Sequence, residues 1–336
     1  MNRRPALVAA LVATLSLGLA ACSSSDTPSP ANTPAEPGSS ATAAGDDADE
    51  TRAVTIGALT ISETAPLWAA VEAGIFTEHG LDVTVQPIQG GAQAMPALLN
   101  GDIDFSIGQP YGAMRASLQG LDVKIVANYA QSLTEGDDIN SVVVGAGSSI
   151  TKPADLAGKK VSVNSIGAAG DLTIRAAVEA DGGDPDSIQF VEVAFPDAQA
   201  QLEAGNIDAA WVPEPFVSII VGAGGARVVD PYQEVLPGLP TLVVQTTGKT
   251  VSDDPELVDD VREALTEAFA WAADNDDAVR QALVDEMKLP EPAAASLRLP
   301  TFSTALDVGV LQGLSDLAVE HKYFEKAPDL DTLIVE

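Results

Sequence analysis

The sequence predicts an α/β protein built from two similar units in tandem. Short apolar strands alternate with helix-like segments from residue 52 onward, and the alternation restarts after Lys152-Pro153. The 336 residues suffice for about two domains of ordinary size, and 46% of them are hydrophobic, enough for a sizeable core. Strands that alternate with helices are typical of mainly parallel sheets covered by helices on both faces.

The first unit begins with an alternating strand at 54–59. Pro66 and Gly74 bound the first helix, because proline is favoured in the first turn of a helix and glycine just after its end. Further strands are predicted at 83–85, 103–107, 123–129 and 141–144, and further helices at 92–100 and 113–118.

The second unit repeats this rhythm, and a helical block follows it. Strands are predicted at 161–163, 190–193, 209–212 and 227–229, and helices at 154–157, 171–180, 198–204 and 216–223. A return strand at 242–245 precedes helices that start at Asp254-Pro255 and continue at 278–287 and 304–321. We therefore divide the chain into a first lobe at 52–147, a second lobe at 148–240, and a return strand with C-terminal helices at 241–336 that packs on the first lobe.

The N-terminal residues are typical of an exported protein. Two arginines precede an apolar run that is too short for a comfortable membrane span, which predicts a signal peptide at 1–21. Leu19-Ala20-Ala21-Cys22 resembles a bacterial lipobox, which implies acylation of Cys22 and a lipid anchor on the outer face of the cytoplasmic membrane. A cleaved secretory signal with an incidental cysteine is the alternative. Residues 22–51 lack aromatic and large aliphatic side chains, so we predict a flexible tether.

The composition excludes several classes of function. Seventeen Lys and Arg against 49 Asp and Glu give a formal charge of −32, so nucleic acid is excluded as a partner. A single Cys rules out an internal disulfide and a Cys-based zinc cluster. Two histidines, His79 and His321, leave little for catalysis. We predict no metal, no cofactor and no catalytic residue.

The candidate ligand-binding residues lie in the loops that follow the predicted strands. Ligands of open α/β sheets bind outside the carboxyl ends of the strands, so two such lobes would enclose a small molecule between these loops. The candidates in the first lobe are Ser62, Glu63, Thr64, Trp68, Gly91, Gln109, Tyr111 and Tyr129. The candidates in the second lobe are Asn164, Gly167, Ala168, Ala169, Trp211, Glu214 and Phe216.

Several short motifs in these regions resemble one family of binding proteins. The motifs are Pro66-Leu67-Trp68-Ala69, Gly80-Leu81-Asp82-Val83, Gly101-Asp102-Ile103-Asp104-Phe105, Asp155-Leu156-Ala157-Gly158, Gly205-Asn206-Ile207-Asp208-Ala209 and Trp211-Val212-Pro213-Glu214-Pro215. Their order and spacing are similar to those of binding proteins for nitrate, sulfonate, taurine and thiamine-pyrimidine importers. The resemblance implies a type II periplasmic-binding fold with two lobes and a hinge. It also implies a monomer that hands a captured solute to an ABC permease and its ATPase.

The sequence leaves two ligand classes open. We rank a sulfonate, taurine or nitrate type of oxyanion first, because backbone N–H groups at a helix start can hold an anion. Yet Gly167-Ala168-Ala169 lacks the hydroxyl found in oxyanion-binding relatives, and Glu63 and Glu214 suit a nitrogen heterocycle such as a vitamin precursor.

Two other roles are also open. A ligand-sensing lipoprotein that serves a membrane partner is one alternative. A thiamine-pyrimidine-synthase-like enzyme is disfavoured, since that class depends on a Cys cluster and an active-site His that are absent here.

Overall fold

The structure is a computed structural model that describes residues 51–335. The predicted signal peptide, the predicted lipid site Cys22 and all of the tether except Thr51 lie outside these residues. Within the described range, no helix combines the length and the apolar character that crossing a membrane requires.

Residues 51–335 form eleven β-strands. In chain order they are β1 (Arg52–Leu59), β2 (Leu81–Ile88), β3 (Phe105–Gly108), β4 (Val123–Gln131), β5 (Asn140–Val144), β6 (Lys160–Val163), β7 (Gln189–Glu192), β8 (Ala209–Pro213), β9 (Ala226–Val229), β10 (Pro240–Thr247) and β11 (Thr301–Phe302).

The same residues form fourteen α-helices. They are α1 (Ala65–Glu72), α2 (Ile75–Glu78), α3 (Gly91–Asn100), α4 (Pro110–Leu118), α5 (Ala169–Ala180), α6 (Ala198–Glu203), α7 (Phe216–Gly222), α8 (Pro231–Val235), α9 (Gly248–Asp253), α10 (Pro255–Asp274), α11 (Asp276–Met287), α12 (Glu291–Ser296), α13 (Val308–Glu320) and α14 (Leu330–Leu333). Four short 3₁₀ turns lie at Ser62–Thr64, Pro153–Leu156, Pro185–Ser187 and Phe195–Asp197.

The strands form two sheets, each the centre of one lobe. The first sheet has the order β11-β4-β10-β3-β1-β2, and the second has the order β7-β6-β8-β5-β9. The two α/β lobes predicted from the sequence are confirmed.

Both sheets contain antiparallel neighbours, but most strands of each sheet run in one direction, which agrees with the expectation of mainly parallel sheets. In the first sheet β1 is parallel to β2 and β3, whereas β10 is antiparallel to β3 and β4. In the second sheet β6 is parallel to β7 and β8, whereas β5 is antiparallel to β8 and β9. The strands β5 and β10 each arrive from the other sheet rather than through a crossover helix, so no crossover imposes a parallel direction on them.

The chain crosses between the sheets twice. It leaves the first sheet after Gln131 and enters the second at Asn140, and it leaves the second after Val229 and re-enters the first at Pro240. The strand β5 falls inside the range 52–147 that we assign to the first lobe, but its sequence leaves open that it crosses to the next lobe, and the structure places it in the second sheet. All five of its residues are buried and three are valines, a pattern that fits the centre of either sheet.

The C-terminal helices pack on the first lobe, as predicted. Helices α10 and α11 contact α1, and α14 contacts β4. The side chain of Arg52 at the start of β1 pairs with Asp254 and Asp260 at the beginning of α10. The helix α13 differs from its neighbours because it contacts both α4 of the first lobe and α5 of the second. It begins at Val308 rather than at the predicted residue 304, because the Asp307 side chain accepts a hydrogen bond from the Val310 N–H and caps the helix there.

Candidate ligand-binding site

A cavity of about 560 Å³ lies between the two lobes. Its walls come from the loops at the carboxyl ends of β1, β3, β6 and β8, where ligands of open α/β sheets bind. This volume lies within the range of small-molecule sites. Four aromatic residues contribute to the lining: Tyr111, Phe195, Trp211 and Tyr232.

Eight of the fifteen predicted residues line this cavity. They come from both lobes and are Glu63, Gly91, Gln109, Tyr111, Asn164, Gly167, Ala168 and Trp211. The structure therefore brings together one part of the predicted set, because loops that follow neighbouring parallel strands meet at one sheet edge.

Glu63 is a buried acid in the cavity wall. It lies in the 3₁₀ turn after β1 and is 2% exposed. Burial raises the pKa of the Glu63 carboxyl to about 7, and a 2.7 Å hydrogen bond donated by the Thr241 hydroxyl to its Oε1 offsets only part of this effect. Near neutral pH the carboxyl group is thus divided between its neutral and ionised forms. It can donate or accept a hydrogen bond.

Two buried N–H donors in the lining are available. The Trp211 Nε1 and the Asn140 Nδ2 have no partner in hydrogen-bond geometry within residues 51–335, although both side chains are almost fully buried and the Asn140 amide lies close enough to the Glu63 carboxyl to lower its pKa. Buried polar groups in proteins are nearly always paired, so these two donors point to a bound molecule that supplies acceptors.

Positive charge is scarce at the site. Arg115 is the single Lys or Arg in the cavity lining as far as the structure describes the chain, and its Nη1 already donates a 3.2 Å hydrogen bond to the Gly167 carbonyl. The start of α5 is also occupied, because the Asp171 carboxylate accepts hydrogen bonds from the Gly167 and Ala168 N–H groups. The predicted helix started at Asp171, but α5 starts two residues earlier, at Ala169, so Asp171 lies inside its first turn. An anion at this helix end would therefore meet a carboxylate.

Trp211 is held tightly against the second lobe. Its ring centroid is 5.8 Å from that of Phe195 and 5.4 Å from that of Tyr232. A Cβ added at Gly170 would lie 3.0 to 3.2 Å from three atoms of the indole, so glycine allows the ring to lie close to α5. The Tyr232 hydroxyl accepts a 3.1 Å hydrogen bond from Gln109 Nε2, which joins the two lobes across the cavity.

Four predicted residues of the first lobe lie outside the cavity lining. Ser62 donates through its hydroxyl to the Glu214 carbonyl at 3.0 Å, and the Thr64 hydroxyl donates to the Leu59 carbonyl at 2.6 Å. Trp68 packs beside α11 in a small apolar cluster, and Tyr129 is fully buried against Phe269 and Phe302. These side chains hold the turn after β1 and the core together.

Three predicted residues of the second lobe are also outside the lining. Ala169 is buried in the first turn of α5, and Phe216 stacks on Phe195 behind the cavity. Glu214 turns away and accepts hydrogen bonds from the backbone and hydroxyl of Ser218. Its carboxylate also lies 3.6 Å from Arg227 Nη2. The Glu214 side chain therefore stabilises the second lobe instead of lining the cavity.

Several lining residues were not predicted, among them Asn140, Thr241, Tyr232 and Phe195. Asn140 and Thr241 lie at the start of β5 and β10, and Tyr232 lies in the second crossing segment. These three do not follow a strand with a parallel neighbour, which was the criterion applied to the sequence. Phe195 does follow one, the strand β7, but the loop after β7 was not chosen as a candidate.

Two α/β lobes with a small-molecule cavity between them are the architecture of periplasmic solute-binding proteins. The chain belongs to the NMT1/THI5-like family, whose profile matches residues 61–279. It is a solute-binding protein of the kind that serves ABC importers, as the motifs predicted.

Known proteins with similar sequences bind different solutes. The chain is 24% identical over 230 residues to the formylaminopyrimidine-binding protein of Halalkalibacterium halodurans, covering 67% of this chain and 68% of that protein. It is 26% identical over 305 residues to the nitrate/nitrite binding protein NrtA of Synechococcus elongatus, covering 81% of this chain and 67% of that protein. The crystal structure of the periplasmic aliphatic sulphonate binding protein SsuA of Escherichia coli matches the fold with a TM-score of 0.68 at 20% identity, covering 84% and 92% of the two chains.

Proposed function

We propose that this protein captures an amino-substituted nitrogen heterocycle, such as an aminopyrimidine, for ABC import. The observation that carries this choice is the buried Glu63 carboxyl in the cavity wall, with a pKa of about 7. A carboxylic acid can donate to a ring nitrogen through one oxygen and accept from the neighbouring amino group through the other. Hydrogen bonds of this kind are strong in a buried site.

The remaining lining fits the same chemistry. Asn140 and Trp211 offer N–H donors to further ring or substituent acceptors, and the aromatic side chains offer faces to a planar ring. The relative that binds formylaminopyrimidine agrees with this assignment. The oxyanion that ranked first from the sequence would have to bind beside Glu63 and near Asp171, with Arg115 as the one cation in the described lining.

The mechanism is capture by closure. Solute contacts with both lobes exist together only when the lobes are closed, so a bound solute shifts the population toward the closed form. The permease and its ATPase then receive the closed form, and no bond is made or broken.

The lipid anchor and the monomeric state belong to the same proposal. An acylated Cys22 would hold the protein on the outer face of the cytoplasmic membrane through the tether. Cys22→Ser should release the protein from washed membranes into the soluble fraction, as measured by immunoblotting. Retention of the variant on membranes would contradict the anchor, and light scattering of the purified protein tests whether it is a monomer.

Calorimetry on the full chain tests the ligand class. The probes are 4-amino-5-hydroxymethyl-2-methylpyrimidine, taurine and nitrate, and we expect the aminopyrimidine to bind and the two oxyanion probes, the taurine sulfonate and nitrate, to bind weakly or not at all. Glu63→Gln should weaken aminopyrimidine binding about tenfold or more, the size of a lost hydrogen bond to a charged group. Glu203→Gln, on the exposed face of α6, is the matched control and should bind as the unmodified protein does. Taurine or nitrate binding that is insensitive to Glu63→Gln would instead establish the oxyanion class.

A further inference from the structure

One turn of the C-terminal region contacts both walls of the cavity. The turn at 322–324 follows α13, and its shape is fixed by hydrogen bonds from the Tyr323 and Phe324 N–H groups to the Ala318 carbonyl, at 2.8 and 3.0 Å. Lys322 adopts a left-handed conformation with φ of 62°, which reverses the chain at the helix end. The two aromatic side chains leave the turn toward different lobes.

Tyr323 reaches the second lobe through a chain of hydrogen bonds. Its hydroxyl donates to Asp171 Oδ2 at 2.7 Å and accepts from Arg175 Nε at 2.9 Å. The Asp171 carboxylate in turn accepts from the Gly167 and Ala168 N–H groups, at 3.0 and 2.8 Å. Gly167 and Ala168 line the cavity, so the chain that starts at Tyr323 ends in the cavity wall.

Phe324 reaches the first lobe. Its ring stacks on the Tyr111 ring with centroids 4.7 Å apart and an angle of 22° between the planes. Phe324 is 5% exposed, and Tyr111 lines the cavity at the start of α4. Adjacent residues of one turn therefore contact opposite walls of the site.

The turn itself is anchored on the first lobe. Beyond it, the Val335 N–H donates to the Ile125 carbonyl of β4 at 2.9 Å, and Lys124 Nζ donates to the Thr332 carbonyl at 2.7 Å. The bonds from Tyr323 to Asp171 and Arg175 join this C-terminal region to the second lobe and lie apart from the two crossing segments. If the turn stays with the first lobe, separation of the lobes breaks them.

We propose that Tyr323 is a positioning residue for solute capture, which holds the Gly167–Ala168 loop in its closed place through Asp171. The inference uses the proposed function only in taking the cavity as the binding site. The hydrogen bond from Tyr323 to Asp171 does not itself reach the cavity. It acts through Asp171, which fixes the Gly167–Ala168 backbone that lines the cavity. Arg175 orients the hydroxyl for this purpose, since its Nη1 is itself held by the Pro185 carbonyl at 2.6 Å.

Hydrogen exchange on the solute-free full chain tests this role. Tyr323→Phe removes only the hydroxyl, and we expect the Gly167 and Ala168 amides to exchange about fivefold to tenfold faster, the equivalent of one lost hydrogen bond. Tyr129→Phe is the matched control, because the Tyr129 hydroxyl is buried in the core against Phe269 and Phe302, away from the Gly167–Ala168 loop. It should leave both amides unchanged. Equal exchange in the Tyr323→Phe variant and the unmodified protein would overturn the proposal.

A distance measurement separates positioning from general stability. In a Cys22→Ser background, Glu78→Cys on α2 and Glu203→Cys on α6 provide two exposed sites for spin labels. Double electron–electron resonance then measures the distance between the labels, which reports the separation of the lobes. Tyr323→Phe should reduce the ratio of closed to open protein about fivefold without solute, as loss of one hydrogen bond implies. An unchanged distance distribution would overturn the proposal, whatever the outcome of the aminopyrimidine titration, because no solute is present.

Discussion

The Thr241 hydroxyl donates a 2.7 Å hydrogen bond to the Glu63 carboxyl, and this bond joins the strand that returns from the second lobe to the turn that follows β1. Glu63 thereby lies beside one crossing between the lobes. Asp138, in the other crossing segment, adds a negative charge that further raises the pKa of Glu63. Glu63, the acid that we assign to ligand recognition, therefore lies beside both segments that connect the lobes, where closure of the lobes changes the surroundings of the cavity.

The first prediction concerns the pH dependence of stability. The pKa of Glu63 rises from its ordinary value of 4.5 to about 7 on folding, so the folded protein holds a proton that the unfolded chain releases in this range. The stabilisation is complete below pH 4.5 and is lost as pH rises through 7, by a total of about 3 kcal/mol. Burial also raises the pKa of Asp138, to about 6, and this acts in the same direction.

Urea denaturation at pH 5, 6, 7 and 8 measures this effect. The difference in the free energy of unfolding between the unmodified protein and Glu63→Gln isolates the contribution of this carboxyl, because the general charge repulsion of the chain is common to both. We expect the difference to change steadily over this range. A difference that is constant from pH 5 to pH 8 would show that Glu63 titrates normally.

The second prediction concerns the packing of Trp211. Gly170→Ala places a Cβ against the indole, which must shift by a few tenths of an ångström toward the cavity. We expect aminopyrimidine binding to weaken several-fold, about 1 kcal/mol, as for other small overpacking changes. Calorimetry measures the affinity. Gly222→Ala at the end of α7, where a Cβ meets no atom within 4 Å, is the control and should bind normally.

The third prediction concerns Gly225, between α7 and β9. A Cβ at this position would lie 2.4 Å from the Val144 carbonyl oxygen and 2.7 Å from the Ile220 carbonyl oxygen, and backbone atoms cannot move aside as a side chain can. Gly225→Ala should lower the free energy of unfolding by about 2 kcal/mol or more. Thermal denaturation compared with Gly222→Ala checks this, and equal melting temperatures would contradict it.

The fourth prediction concerns Arg227, which neutralises the acids of the crossing region. It donates to the Asp138 carbonyl at 2.9 Å and to Asp230 at 3.0 Å, and it lies 3.6 Å from the buried Glu214 carboxylate. Arg227→Met leaves these acids without their cation and should destabilise the fold by about 3 kcal/mol. Urea denaturation is the measurement. Arg280→Met gives a comparison outside the crossing region. It removes an ion pair with the exposed Asp276 and hydrogen bonds to the Ala294 carbonyl in α12 and the Leu297 carbonyl just after it.

Much of the order of strands and helices could be predicted, because the signals are local. Apolar alternation marks β1, and Asp254-Pro255 marks the start of α10 since a capping carboxylate and a first-turn proline act within one helical turn. Short elements such as α2 and α8 were missed. Helices of four or five residues are too short to show a periodic pattern, and their stability comes from tertiary packing.

What the sequence determined by itself was the class of protein, the alternation of elements and the loops from which one part of the cavity is built. The class follows from the resemblance of its motifs to a known family, and the other two follow from periodicity and from residues close together in the chain. The tertiary structure decided that β5 joins the second sheet, that Asn140 and Thr241 meet Glu63, and that Tyr323 contacts Asp171. Such partners are separated by roughly 75 to 180 positions, and contacts of this range are selected by packing and by the satisfaction of buried polar groups, which no local pattern encodes.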